Sequence, residues 1–377
     1  MKWKPCGRVK THRGRSGVID RPFWSGKRVF LTGDTGFKGS WMAELLTQLG
    51  AAVKGYALEP PTDPSLFRLS RLENRLQHVD GNILDGAKLA EEVRVFNPEI
   101  VIHLAAQPLV RRSYLEPRLT YETNVMGTLN LYEAVRSSTT VRVVISVTTD
   151  KCYQNNEWVW GYREDDRLGG KDPYSSSKAC AELLSAAYRA SFFNPDEYGK
   201  SHRVSLSTVR AGNVIGGGDW ATDRLIPDCV RSLARGETLV VRSPKAVRPW
   251  QHVLEPLVGY LTLAQKMWSE PLQFGQGWNF GPAEESTETV EQVVRRIFEV
   301  WGKGKFIIAA DRGPYEARTL RLDTSKARHA LGWKPILSFA DGIDWTTSWY
   351  RSFYEDRADA EQLTKRQAAT YLKRLEK

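Results

Sequence analysis

The 377 residues are 41% hydrophobic and 26% charged, with 30 Gly and 18 Pro, an ordinary globular composition that excludes collagen-like, low-complexity and wholly disordered chains. No apolar run approaches the roughly 18 residues of a membrane span, and Cys6, Cys152, Cys180 and Cys229 form no C-x-x-C, which points to a reducing compartment such as the cytoplasm and away from a disulfide framework or a zinc site. The net charge of +10 invites a nucleic-acid reading, but seven Lys/Arg and one Asp fall within residues 1–22, a basic leader that reads as a disordered extension.

From residue 27 onward strand-like and helix-like segments alternate. Lys27–Thr32 (KRVFLT) is a short apolar run that ends at a Gly-rich turn, and Phe37–Gly50 follows with helical spacing. Ala52–Leu58, Arg75–Asp80, Glu99–Leu104 and Val141–Thr148 read as further strands, separated by helical stretches over 86–96 and 118–137. Another helix begins near Pro173, and Val204–Arg210 is a sixth strand. Continuous apolar strands between helices predict an α/β fold, a Rossmann-type doubly wound parallel sheet. After residue 212 the pattern breaks into loops, short strands and shorter helices. That predicts a smaller C-terminal part over the carboxyl edge of the sheet, where such folds bind ligands. The expected division is a dinucleotide-binding unit over 23–212, with a returning segment near 245–282, and a mainly substrate-binding part over 213–377.

The turn after the first strand reads Thr32-Gly33-Asp34-Thr35-Gly36-Phe37-Lys38-Gly39. Its G-x-x-G-x-x-G spacing lets backbone approach a pyrophosphate at a helix N-terminus. A plain strand-to-helix turn tolerates the same glycines; position after the first strand of an alternating chain favours the dinucleotide. Glu59, just after the second strand, suits a ribose 2′-hydroxyl, and no Arg is evident for a 2′-phosphate, so the pattern favours NAD over NADP.

In Asp172-Pro173-Tyr174-Ser175-Ser176-Ser177-Lys178, Asp172 suits an N-cap and Pro173 the first helical position. Tyr174 and Lys178 then stand one turn apart on one face. A phenol with a free pKa of about 10 needs roughly 4 kcal/mol of preference for phenolate to serve as a base near neutral pH. A neighbouring ammonium, an oxidised nicotinamide and the helix N-terminus supply charge of the right sign. A surface Tyr–Lys pair on an amphipathic helix explains the spacing equally well.

The Gly33/Gly36/Gly39 loop and Tyr174-x-x-x-Lys178, together with His103-Leu104-Ala105-Ala106-Gln107, Asn124 within NVMGT and Asn82-Ile83, resemble the extended short-chain dehydrogenase/reductase family over residues 23 to about 345. The resemblance implies bound NAD, with Gly33, Thr35, Gly36, Phe37, Gly39, Asn82, Ile83, Leu104, Ala105, Ala106, Gln107, Tyr174 and Lys178 as its contacts. It also implies a nucleotide-sugar substrate and a homodimer or a dimer of dimers. Asn82-Ile83 departs from the family's Asp-Ile against the adenine.

Thr148-Thr149-Asp150-Lys151, at the end of the fifth strand, is similar to nucleotide-sugar 4,6-dehydratases, whose thymidine-linked branch has Thr-Asp-Glu. Dehydration needs a base for the 4-OH, a base at C5 and an acid at O6. The resemblance assigns Tyr174 to the first, with Thr149 polarising O4, and Asp150 to the acid, which requires a raised pKa in a dry site. Lys151 departs from the thymidine-linked pattern. With Asn155–Glu164, Gly216–Trp220 and Arg248–Val253 it resembles the branch acting on CDP-glucose, where Lys holds this place. Two roles remain open for it, neutral base at C5 or charged stabiliser of the enolate. Asn213 and Arg248 match residues facing the substrate diphosphate, to which a guanidinium offers two parallel donors. Arg224, Asn279 and Tyr315 are further substrate candidates, and a structural salt bridge is the alternative for Arg224.

Trp158 and Trp160 read as apolar packing residues or as a lid, His103 as a packed core group and Cys152 as a small buried filler. No histidine spacing suggests a metal. A 4-epimerase, a dehydratase of another nucleotide-hexose, a dinucleotide-sensing regulator and nucleic-acid binding through the leader are the competing functions. The intact Tyr174/Lys178 and Asp150/Lys151 pairs argue against a sensor, and the confinement of excess charge to the leader argues against nucleic acid.

Overall fold

The computed structural model describes residues 19–283, 288–309 and 320–376; Cys6, most of the basic leader and Tyr315 lie outside them. The apolar runs become β1 (Arg28–Thr32), β2 (Ala52–Ala57), β3 (Gln77–Asp80), β4 (Ile100–His103), β5 (Val143–Val147) and β6 (Ser205–Ala211). Shorter strands follow: β7 (Val214–Ile215), β8 (Thr238–Val241), β9 (Gln251–His252), β10 (Gly277–Phe280) and β11 (Lys305–Ile308). Seven of them form one parallel sheet, ordered β10-β6-β5-β4-β1-β2-β3. The order reverses at β1, which opens a crevice at the carboxyl ends of β1 and β4.

Period-two alternation divides each central strand between two cores. Val29, Leu31, Ile100, Ile102, Val143 and Ile145 enter one, and Phe30, Val101, Val144 and Leu206 the other. The first lies under α1 (Arg21–Trp24), α2 (Phe37–Gln48) and α3 (Leu66–Leu69); the second lies under α4 (Gly86–Phe96) and the segments after β4. After β4 come α5 (Val110–Leu115), α6 (Pro117–Tyr121) and α7 (Gly127–Arg136), and after β5 comes α8 (Pro173–Ser191); of these, α7 and α8 supply residues to the second core. The rest of the chain supplies α9 (Leu225–Arg235), α10 (Leu254–Ser269), α11 (Pro271–Phe274), α12 (Val290–Trp301), α13 (Phe339–Tyr354) and α14 (Ala360–Leu375). Gly236 at +69° ends α9, and Thr289 closes a capping box on α12.

Three expectations are corrected. The helix expected over 118–137 is interrupted by a π turn, Glu122–Met126, because the Asn124 side chain is drawn inward to the loop after β4 and to α8. Residues 19–22 belong to the fold and not to the leader. Ile19 is buried, Asp20 caps α1, and the Trp24 indole donates to Gln265 Oε1 at 2.7 Å. The C-terminal part does not lie wholly over the sheet edge: α14 buries Ala368, Tyr371 and Leu372 and packs on α2 and α3.

Candidate functional site

The glycine turn closes against the end of β4. Gly33 has φ of 76°, and a Cβ there would stand 2.6 Å from the Ala105 nitrogen. A Cβ on Gly39 would fall 2.0 Å from the Gly33 carbonyl oxygen. The Thr32 hydroxyl accepts from the Leu104 and Ala105 amides, each at 3.2 Å, and Thr35 Oγ1 donates to the Leu58 carbonyl at 2.8 Å. Backbone packed this tightly below an α2 N-terminus that no side chain caps is a fitting cradle for a pyrophosphate. Asn82 is exposed, and Ile83 packs on Gly127.

Two cofactor-side expectations need correction. Gln107 has every polar group engaged inside the protein: its amide nitrogen donates to Thr120 Oγ1 at 2.9 Å, its amide oxygen accepts from Leu109, and its backbone pairs with Asn124. It braces the loop and leaves Leu104, Ala105 and Ala106 as the half-buried wall. An arginine also stands near the second strand after all. Arg68 pairs with Glu59, nine residues away in sequence.

Asp172 caps α8, its Oδ1 accepting from the Ser175 amide at 2.9 Å. That cap starts the helix one residue before Tyr174 and sets Tyr174 and Lys178 against the turn Asp150–Cys152 at the end of β5. Lys178 Nζ donates to the Val147 carbonyl at 3.2 Å, and burial lowers its pKa to about 8. Burial raises the Tyr174 phenol to about 12, with the Thr149 hydroxyl pulling the other way. The protein around Tyr174 therefore does not by itself produce the lowered phenol expected for a base. Asp150 is raised by burial, against the pull of Lys151. Its Oδ1 accepts from Thr149 Oγ1 at 3.0 Å, while Oδ2 has no hydrogen-bond partner among the described residues. A buried carboxyl of this kind is poised to carry a proton.

Asp150 and Lys151 open onto a cavity of about 240 Å3, whose wall also includes Asn213, Arg248, Tyr114, Tyr153, Asn155 and Lys171; Thr149, Tyr174 and Lys178 lie beside it and are not part of its lining. Tyr114 and Lys171 were not found from sequence, because they lie on a short helix and a loop that carry no recognisable spacing, and Asn155 was met only as the start of the Asn155–Glu164 stretch. Lys38 was also missed, although it stands inside the glycine motif. Its ammonium faces Asp150 and Arg224, and burial lowers its pKa to about 8. A larger open groove of about 650 Å3, lined by Arg295, Phe298, Lys305 and Ile307, holds none of the expected residues.

Arg224 takes up the salt-bridge alternative, with Nη1 2.8 Å from Asp219 Oδ2, yet it also lies close enough to Tyr174 to share its electrostatics. Asn279 is corrected outright. It is fully buried, its amide donates to the Tyr162 and Asp323 carbonyls, and its oxygen accepts from the Tyr153 hydroxyl. Trp158 packs between Tyr162 and Trp160, and Trp160 is 61% exposed on its outer side. His103 is buried between Thr32 and Thr128, and desolvation holds its pKa down to about 3, as befits a core group. Burial pushes the Cys152 thiol well up, away from the reactive thiolate.

A CDP-glucose 4,6-dehydratase of Salmonella typhimurium is 49% identical over 94% of this chain and 99% of its own length. A UDP-glucose 4-epimerase of Mycolicibacterium smegmatis is 26% identical over 86% of this chain and 99% of its own. Among solved structures, a double mutant of DesIV, a dTDP-glucose 4,6-dehydratase from Streptomyces venezuelae with NAD bound, superposes with a TM-score of 0.73 at 26% identity, covering 89% of this chain and 99% of that one. Residues 30–346 match the family described as GDP-mannose 4,6 dehydratase, and the chain belongs to that family.

Proposed function

We propose that the chain catalyses the NAD-dependent 4,6-dehydration of CDP-glucose to CDP-4-keto-6-deoxyglucose. The observation that carries this reading is the packing of the Asp150–Cys152 turn against α8, which bears Tyr174 and Lys178, beside a cavity lined by Asp150 and Lys151, in a chain 49% identical to a CDP-glucose 4,6-dehydratase over nearly its whole length. The 33–39 cradle and the 104–106 wall fit the dinucleotide. NAD, when bound, accepts the hydride from C4 and returns it to C6, so its redox state is unchanged over the cycle.

Tyr174 removes the 4-OH proton, and the Lys178 ammonium and the cofactor's positive ring offset the cost of a buried phenolate. Thr149 holds O4. The resulting ketone acidifies C5–H, and Lys151 takes that proton as base. Asp150 gives its proton to the departing 6-hydroxyl, which leaves as water, and Lys151 returns its proton to C5. The cycle ends with Tyr174 protonated and Asp150 ionised, so one proton must pass between them before the next turn. Arg248 and Asn213, on the cavity wall, hold the diphosphate. An epimerase would need neither Asp150 nor Lys151 for elimination.

Two coarser features accompany the reading. The mutually packed α5, α6, π turn and α8 leave Leu115, Tyr121, Met126 and Leu183 exposed, which suits a homodimer; sedimentation at twice the 42.7 kDa chain mass tests it. No helix of the described residues is long and apolar enough to cross a membrane, and Cys152, Cys180 and Cys229 are unpaired, which suits the cytoplasm.

The activity is tested by mass spectrometry of CDP-, dTDP-, UDP- and GDP-linked hexoses after incubation with the protein and NAD. Loss of one water from CDP-glucose is expected. Loss from another donor alone would overturn the cytidine assignment, and loss from none would overturn dehydration.

A further inference from the structure

We propose that Glu182 and Arg210 form a buried strut that, through Thr148, holds the Thr149–Lys151 turn in register with Tyr174 and Lys178, a positioning role that rests on the dehydration reading above.

Glu182 lies one turn beyond Lys178 and two beyond Tyr174, on the same face of α8. Its Oε1 accepts from Thr148 Oγ1 at 2.5 Å and from Arg210 Nε at 2.8 Å. Its Oε2 accepts from Arg210 Nη2 at 2.8 Å and from Thr208 Oγ1 at 2.7 Å. Arg210, on β6, also donates from Nη1 to the Tyr153 hydroxyl at 2.5 Å and to the Glu164 carbonyl at 2.9 Å. One carboxylate–guanidinium pair thus grips Thr148 just before the Thr149–Lys151 turn, Tyr153 two residues after it and the helix that carries the phenol.

Thr148, Glu182 and Arg210 are buried, and none of the three lines the cavity. They act on substrate only through their neighbours. Stability is a poor reason for the pair, since apolar side chains of equal volume often stabilise a core as well or better. What apolar groups lack is direction, which the forked guanidinium and the two-oxygen acceptor supply. Direction matters here because the two acid–base pairs sit on different elements. A misplacement of about 1 Å between such groups costs on the order of 100-fold in rate.

The test uses full-length enzyme with NAD. Thr148→Val removes one hydroxyl while leaving the ion pair and the side-chain volume. The expected result is a kcat for water loss from CDP-glucose lowered on the order of 10- to 100-fold with KM unchanged. The limb of the pH–rate profile governed by Tyr174 should move to higher pH, because Thr149 no longer opposes its burial. Thr148→Ser should restore both. If Thr148→Val is insoluble, Thr148→Ala removes the same hydroxyl and should give the same split. A variant with a lowered Tm but wild-type kcat and pH profile overturns the strut. Wild-type protein inactive on CDP-glucose overturns the dehydration reading instead. The strut is then read from the Tyr174 phenol by NMR titration of tyrosine-labelled protein, where coincident midpoints in wild type and Thr148→Val overturn it.

Discussion

In the proposed mechanism, Asp150 is the residue at which oxidation and elimination part company. One of its oxygens is held by Thr149, the other has no hydrogen-bond partner among the described residues, and burial favours the protonated form. Asp150→Asn keeps the shape and removes the transferable proton. Water loss from CDP-glucose should fall on the order of 100- to 10,000-fold. Oxidation at C4 should survive, and it can be isolated with CDP-6-deoxyglucose, which has no 6-hydroxyl to lose. Near-ultraviolet absorbance of NADH on mixing with that analogue should match wild type. Dehydration of CDP-glucose by Asp150→Asn at the wild-type rate would remove Asp150 from the acid role. At this scale the sequence was informative where a motif carries the chemistry. Tyr174 and Lys178 stood out by their one-turn spacing, which a surface pair explains equally well, and only the family resemblance gave them, Asp150 and Lys151 their proposed roles. Arg68 beside Glu59, the saturation of Gln107 and the burial of Asn279 were not legible, because each depends on a partner brought close only by the fold.

Among the elements, α10 is tied to the C-terminal helices by one buried carboxyl. Glu255 accepts from the Leu337 amide at 2.7 Å and from the Tyr371 hydroxyl at 2.6 Å, and burial raises its pKa from 4.5 to about 7. The folded state therefore binds more protons than the unfolded state between those values. The contribution is complete below about pH 4.5 and is lost as pH rises through about 7, worth about 3 kcal/mol. Wild type should lose more unfolding free energy between about pH 5 and about pH 8 than Glu255→Gln does, as read by urea denaturation. Parallel losses in the two proteins would contradict the assignment. The strands themselves were easy to read. A parallel strand buried on both faces is a continuous apolar run, as in EIVIHL and VRVVISVT. β10, which extends the sheet beyond β6, lies in a Gly- and Trp-rich stretch without such a run, and the sequence offered it only as part of a returning segment near 245–282, not as a strand. The π turn at Asn124 was hidden for a different reason. Hydrophobic periodicity registers the helix that continues on both sides and not the one residue drawn inward.

Across the whole molecule, the sheet reversal at β1 places the cradle, and the end of β5 places the acid–base turn, on the same carboxyl edge. The segment after residue 212 then supplies Asn213 and Arg248 to the cavity, while its last helix returns to brace α2, the helix that opens at the cradle. The competing activities share this frame and differ in where hydrogen goes. CDP-glucose carrying deuterium at C4 distinguishes them in one experiment. The expected product is lighter by one water, with the deuterium relocated to C6 within the same molecule. Deuterium still at C4 in a product of unchanged mass would mean epimerisation and would contradict the account.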